Sequence, residues 1–491
     1  MSVPRGVNVS DPHRATERGP LTAVVVLCFG GLAAALTQTL VIPIQSELPG
    51  LLDTSAANAA WVVTITLLAG AVAMPVSGRI ADLVGKQRVL VASAAVLVVG
   101  SLVCALSDSL VPVLAGRALQ GVAMGFIPVG ISLMREITPP HLTATATAAM
   151  SATLGVGGAI GLPLSAWIVQ TGDWHTLFWV ASAISVVVLV LTWVLVPHVH
   201  DARGGRLDVP GAVGLAIGLV ALLVGISKAT TWGWTDARTL GSIAAGLLVL
   251  VAWGAFELRR DDPLVDLRTS ARLPVLMTNV AAVAIGFGMM AQSIVVPQLL
   301  QLPAFTGYGL GQSILAAGLW MAPAGLMMMV FAPLSGRLLG SVGAKKTLMA
   351  GAVVLGLGYV AALFLMDAPW QLLIASCISS AGVGIGYAAM PTLILDAAPP
   401  REAAAAVGLN SLMRSFGTTL AAAVMGTILT SSTTSSGPGI ELPTLSAFQW
   451  CFAAGAVAAA LGVALAAFIP ARADTATIEP APPVPAPEHA G

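Results

Sequence analysis

Few residues in this chain are able to do charge chemistry, and they are unevenly spaced. Residues 75–88 read PVSGRIADLVGKQR and set Arg79, Asp82, Lys86 and Arg88 close together, although only 9% of the 491 residues are charged. Asp82 is the single acid among three bases. It can pair with a neighbouring arginine or sit at a helix N-terminus, where negative charge is favoured. Either contact can be made and broken, as a latch is. Gly78 and Gly85 let the chain turn and let neighbours approach. The bases can equally be a plain signal that holds the segment on one side of a membrane. The design recurs from residue 333 as PLSGRLLGSVGAKK, with Gly336, Arg337 and Gly343 in matching places and Gly340 where Asp82 stands.

Arg117 lies well inside an apolar run. At three and four residues on either side stand Leu114, Val113, Gln120 and Gly121, so only Gln120 can hydrogen-bond to it along its own helix. A charge in the middle of a bilayer costs about 2.5–3.5 kcal/mol on insertion scales. Arg117 therefore faces a bundle interior or snorkels to the surface. Glu136 and Asp396, at the ends of apolar runs, are candidates for carrying protons; solvated interfacial acids are the other reading. Gln38, Gln292, Gln298, Trp320, Met321 and Arg414 are candidates to line a cavity for lipophilic molecules, or they pack against neighbouring helices.

Other chemistries find no support. GVGGAIG and GVGIG (382–386) lie inside apolar runs, so they read as close helix packing rather than phosphate cradles. There is no ATP-binding motif, no catalytic constellation and no cofactor fingerprint, which argues against an enzyme. The four cysteines fall in apolar runs and read as buried thiols. His198 and His200 lack the partners of a metal site. A formal net charge of zero suggests no nucleic-acid partner.

The elements that position these residues follow from composition. The chain is 57% hydrophobic with a mean hydropathy of +0.91, whereas about a quarter of the residues of a soluble domain are charged. It reads as an all-α polytopic membrane protein. A span needs about twenty apolar residues. Fourteen runs qualify: 21–44, 57–77, 89–107, 111–133, 144–169, 176–196, 209–228, 239–257, 274–299, 312–335, 347–366, 370–392, 404–430 and 447–469. The first is too long for a signal-peptide core.

The bases test that count. With the N-terminus inside, the inner segments hold eighteen of the 22 Lys and Arg, and the outer loops hold only Arg238. Arg117, Lys228 and Arg414 fall within spans or at their ends. Such asymmetry is the positive-inside pattern. Trp174, Trp232, Trp234, Trp370 and Trp450 fall at outer ends, as an aromatic belt does. Residues 431–446 read as a polar outer loop and residues 470–491 as a disordered tail.

Two similar halves with matching short inner loops suggest the repeat architecture of a secondary transporter. GRIADLVGKQR resembles the loop signature between helices 2 and 3 of the major facilitator superfamily, and RALQG (Arg117 to Gly121) resembles its helix-4 signature. Fourteen spans, TTWGW after the seventh and ELRRDDPLVDLR after the eighth resemble its fourteen-helix drug:proton antiporter branch. LGVGGAIGLPLSAW, with Gly157, Gly161 and Pro163, resembles that branch's helix-5 signature, although Pro163 is one place late and Ser165-Ala166 replaces the usual glycine pair. Thr37 and Gln38 stand where the branch usually has an aspartate in span 1.

The resemblance implies six-helix bundles at 21–200 and 274–469, two linker helices within 201–273, and cytoplasmic tails at 1–20 and 470–491. It implies a central cavity open to one side at a time, and a part for Arg117 in proton coupling. The expectation is an exporter of lipophilic drug-like molecules in the cytoplasmic membrane of a bacterium, monomeric, driven by protons and needing no cofactor. An exporter of one self-made metabolite, or an uncoupled facilitator, is the alternative. A non-transporting sensor is disfavoured because no soluble signalling domain is attached.

Overall fold

The computed structural model describes residues 18–42, 44–45, 47–199, 206–437 and 440–470. The tails with Arg5, Arg14 and Arg472, together with His200 and Arg203, lie outside the described residues. Among those described, fourteen helices are long and apolar enough to cross a membrane. They are α1 Arg18–Thr39, α2 Trp61–Val84, α3 Lys86–Ala105, α4 Leu110–Ile137, α5 Pro140–Thr171, α6 His175–Leu195 and α7 Val209–Trp232. Then come α8 Ala237–Glu257, α9 Leu273–Gln301, α10 Ile314–Ser341, α11 Ala344–Phe364, α12 Pro369–Ala397, α13 Ala403–Ser431 and α14 Leu445–Ala467. Helix is the natural answer, because lipid offers the backbone no hydrogen-bond partners.

Several helices outrun their apolar runs. α4 continues through Arg135 and Glu136, and α12 through Asp396. Charged residues end an apolar run but not a helical hydrogen-bond ladder, so these ends project beyond the hydrocarbon. Two helices are interrupted. α4 passes through a 3₁₀ turn at Ala123–Gly125, and α10 breaks at Phe331, just before Pro333, whose ring nitrogen has no hydrogen to donate.

α1 to α6 pack as one bundle and α9 to α14 as a second, with α7 and α8 as an inserted antiparallel pair. The bundles meet along two seams, α2 against α13 and α5 against α10. Small residues allow the close approach. A Cβ on Gly78 would lie 2.4 Å from the Ala404 carbonyl oxygen, and one on Gly408 2.5 Å from that of Met74. On the other seam, Gly325 meets Ala159 and Gly318 meets Pro163.

The bases gather at one end of the helices, called here the basic end. At the far end, two features depart from the sequence reading. The 431–446 segment contains an antiparallel hairpin of β1 Thr433–Gly437 and β2 Ile440–Pro443, pairing Thr433 with Pro443 and Ser435 with Glu441. The Tyr308 hydroxyl donates to the Pro443 carbonyl at 2.6 Å, which ties the hairpin down. Trp174 is not in a lipid-facing belt. It is buried, stacked on His175 at 3.9 Å and edge-on to Phe178. His175 also bonds Asp173, and that bond holds the Asp173 carboxyl below the usual carboxylate range.

The two ends are separable by experiment. A cysteine at Ser435 is expected to react with an impermeant thiol reagent from outside the cell, and one at Ser341 only after the membrane is opened. Equal labelling of both from one side contradicts a fourteen-span path.

Candidate functional site

At the basic end, the repeated glycine segments close α2 and α10. Each finishes on a glycine with positive φ, Gly85 at 104° and Gly343 at 84°, a backbone state that other residues resist. The helices they meet are also related: α5 begins after Thr138 with Pro139-Pro140, and α13 follows Pro399-Pro400. Gly78 packs on Ala404 at the start of α13, and Gly336 on Thr145 near the start of α5. The two junctions are thus alike in backbone.

They differ in charge. Asp82 is buried and accepts hydrogen bonds from the backbone N–H groups of Ala404 (3.2 Å) and Ala405 (3.0 Å). These amides open α13 and have no partner within the helix. A carboxylate there satisfies two donors and meets the positive end of the helix dipole. Asp82 thus takes the helix-terminus contact rather than an arginine partner. Gly340 has nothing within 4 Å of where a Cβ would be, so the second junction is held by packing.

Around Asp82 stand three ion pairs. Lys86 binds Glu136 within the first bundle. Arg135 of α4 binds Asp396 of α12 across the bundles at 3.1 Å. Arg79 reaches Asp262, in the connection after α8, at 3.8 Å. Arg88 and Arg337 are exposed. Glu136 and Asp396 are therefore both paired with bases rather than free at the interface.

Arg117 is fully buried. Its Nε donates to the Val62 carbonyl at 3.0 Å, and Nη1 donates to the Thr37 carbonyl at 2.8 Å and to Gln120 Oε1 at 2.7 Å. Gln120 in turn donates to Ser101 Oγ at 3.0 Å. Neutral oxygens from α1, α2 and its own helix thus hold the guanidinium inside the bundle. In the second bundle Arg414 is also buried, donating to Asn410 and Ser411 and lying 4.9 Å from the centre of the Tyr387 ring. Asn410 continues the chain of contacts to Asn279 at 3.0 Å.

The remaining candidates are scattered. Gly157 and Gly161 pack on α1 at Ala35 and Thr39 within the first bundle, while Pro163 faces Gly318 across the seam. Gln292 is buried and donates to the Ser376 carbonyl and Ser380 Oγ of α12. Trp320 donates to Gln312, and Met321 beside it packs on the second bundle's core. Gln38 is half-buried and Gln298 exposed.

Two buried acids belong to the inserted pair; the sequence reading passed over Asp208 and met Glu257 only as the first residue of ELRRDDPLVDLR. Asp208 caps α7 by accepting from the Gly211 N–H at 3.0 Å, and Glu257 closes α8. Asp208 had a signal: an acid two residues before Pro210 marks a helix start. Glu257 opened a segment the resemblance singled out, but nothing marked it as buried, because an acid that ends an apolar run usually faces water.

This paired-bundle arrangement, clasped at one end and joined by an inserted pair, defines a polytopic transporter fold. The sequence model of the Major Facilitator Superfamily matches residues 27–339 and 276–490, and the chain belongs to that superfamily. It is 27% identical over 433 residues to the "Tetracenomycin C resistance and export protein" of Streptomyces glaucescens, covering 87% of this chain and 79% of that one. It is 26% identical over 411 residues to the "Putative multidrug resistance protein MdtD" of Pectobacterium carotovorum, covering 82% and 86%. Some curated relatives are longer, the chain spanning 61% of two of them. Among solved structures, the human organic anion transporter MFSD10 superposes with a TM-score of 0.64 at 16% identity, over 91% of this chain and 99% of that one.

The asymmetry of the two junctions is testable. Removing the Asp82 charge is expected to weaken the clasp by about 1–2 kcal/mol. Asp82→Asn should therefore cut substrate movement several-fold with normal amounts in the membrane. Gly340→Ala, with open space for its methyl group, should stay near wild type. Equal losses at both positions would assign the segments a packing role alone.

Proposed function

We propose that this protein exports lipophilic, drug-like small molecules across the cytoplasmic membrane by alternating access. The basic end and both termini are cytoplasmic in this reading, and protons drive the exchange. The observation that carries it is the clasp. Asp82 on the α13 amides and Arg135 on Asp396 both bridge the bundles at one end only. Contacts of this kind can hold one face shut and be released when the bundles rock. The names of the bacterial relatives support export as the direction of transport.

Arg117 is the proposed link to protons. A guanidinium held by two carbonyls and a glutamine sits where any change in the field between α1, α2 and α4 acts on it. Five cations lie buried in the spans; Arg79 and Lys86 are paired with acids, whereas Arg117, Lys228 and Arg414 have none within ion-pair distance among the described residues. That uncompensated charge supports neutral or anionic lipophiles over cations as substrates.

A second reading, an uncoupled facilitator or an exporter of one metabolite, is favoured by a specific feature. Gln38 is neutral, and the carbonyl of Thr37 meets Arg117 where a carboxylate would supply a titratable partner.

Everted, acid-loaded vesicles separate these readings. Adding a neutral aromatic substrate is expected to release protons through the wild-type protein. Arg117→Ala should abolish the response, and Arg117→Lys should keep part of it, since lysine retains the charge but loses the planar fork. Uptake of the substrate with no proton movement contradicts coupling and leaves the facilitator. Wild-type coupling in Arg117→Ala removes Arg117 from the mechanism.

A further inference from the structure

The inserted helices do more than lengthen the chain. α7 lies along the α2–α13 seam, its Leu215 and Leu219 clustered with Leu68 and Ala71 of one bundle and Leu412 of the other. At the far end, Lys228 stands 4.8 Å from the Trp61 ring centre on α2, while Trp234 donates to Thr427 of α13 at 2.6 Å. The pair therefore touches both bundles.

At the basic end its foot is built from buried charge. Glu257 is only 2% exposed, and its carboxylate accepts from the Leu264 N–H at 3.1 and 3.3 Å, one contact to each oxygen. A Cβ on Gly211 would lie 2.9 Å from both the Asp208 and Glu257 carboxylates, so the two acids converge there. Arg260 pairs with Asp208 at 3.3 Å. Folded back by Glu257, the connection 258–272 inserts Leu264 and Val265, both buried, into the same seam cluster. Its two polar sides then face different bundles. Asp262 meets Arg79 of α2. Thr269, whose hydroxyl donates to Asp266 at 3.0 Å, lies beside Glu402 at the start of α13, and Glu402 is also in the fields of Asp266 and Arg79. Arg79 is itself buried, and its Nε has no hydrogen-bond partner among the described residues.

We propose that Glu257 is a positioning residue for the cytoplasmic gate. By folding the 258–272 connection under the α2–α13 seam, it makes the inserted pair a strap that bridges Arg79 of one bundle to Glu402 of the other. The strap adds to the closure made by Asp82 and must yield each time the inner face opens. The inference takes from the proposed function only that this face opens; it needs no particular substrate or coupling ion.

The test reads the gate directly. A cysteine at Leu412, buried beneath the connection, is labelled with N-ethylmaleimide in the full-length protein in liposomes without substrate. Glu257→Ala is expected to speed labelling about ten-fold, because a buried amide loses its acceptor and the connection lifts. Glu257→Gln, which keeps one acceptor oxygen, should lie between the two. Asp262→Ala with Thr269→Val cuts the bridge while leaving Glu257 in place, and should speed labelling in the same direction without lowering the thermal midpoint. An unchanged labelling rate in that folded double variant overturns the proposal, whatever Glu257→Ala does. Absence of export in cells, with labelling altered as stated, counts against the exporter reading and not against the strap.

Discussion

Two unpaired backbone amides at the start of α13, and the carboxylate that accepts from them, are the contact on which the paired-bundle arrangement turns. A helix start inside a protein must find acceptors for its first N–H groups. Ala404 and Ala405 are buried at the junction of the bundles, out of reach of water. This chain supplies the acceptors from the opposite bundle, through Asp82. The stability of α13's first turn and the closure of the two bundles therefore become one interaction. Gly78 makes it possible by letting α2 approach the Ala404 carbonyl, and Gly85 places Lys86 for its pair with Glu136.

The internal repeat is faithful in backbone and unfaithful in charge. Both halves end a helix on a glycine with positive φ, and both set it against a helix that follows a proline pair. Only one junction has an acid. The α5–α10 seam relies on small residues, Gly325 on Ala159 and Gly336 on Thr145, which can slide with little electrostatic penalty. The α2–α13 seam has the carboxylate, the Arg79 junction and the covering α7. One seam is thus smooth and the other charged, and the inserted pair sits on the charged one.

Much of this was legible in the sequence, for identifiable reasons. Spans announce themselves because hydrocarbon demands long apolar runs, and the bases fixed their number by falling on alternate connections. Asp82 stood out because it was the one negative charge in a basic segment, and its contact with a helix start was among the two expected. Arg117 was expected to face a bundle interior or to snorkel, and it lies inside the first bundle, where the Val62 and Thr37 carbonyls meet it. What sequence could not give was the partner across space. Nothing near Asp82 names Ala404, and nothing near Glu257 shows that its carboxylate turns inward onto Leu264. The helical reach of α4 and α12 beyond their apolar runs was not legible, because hydropathy reports the membrane boundary and not the helical ladder. The hairpin at 433–443 was missed because its serines and threonines carry no alternating apolar pattern.

The central claim is that the basic end is a gate whose closed state is the clasped one. Spin labels at Val84 and Arg401, both exposed on either side of the clasp, report it by pulsed dipolar spectroscopy on a cysteine-free background in liposomes. The account predicts two distance populations: a short one that dominates at rest, and a longer one that grows when Asp82 is replaced by asparagine. A single distance, unchanged by that substitution and by added substrate, contradicts it.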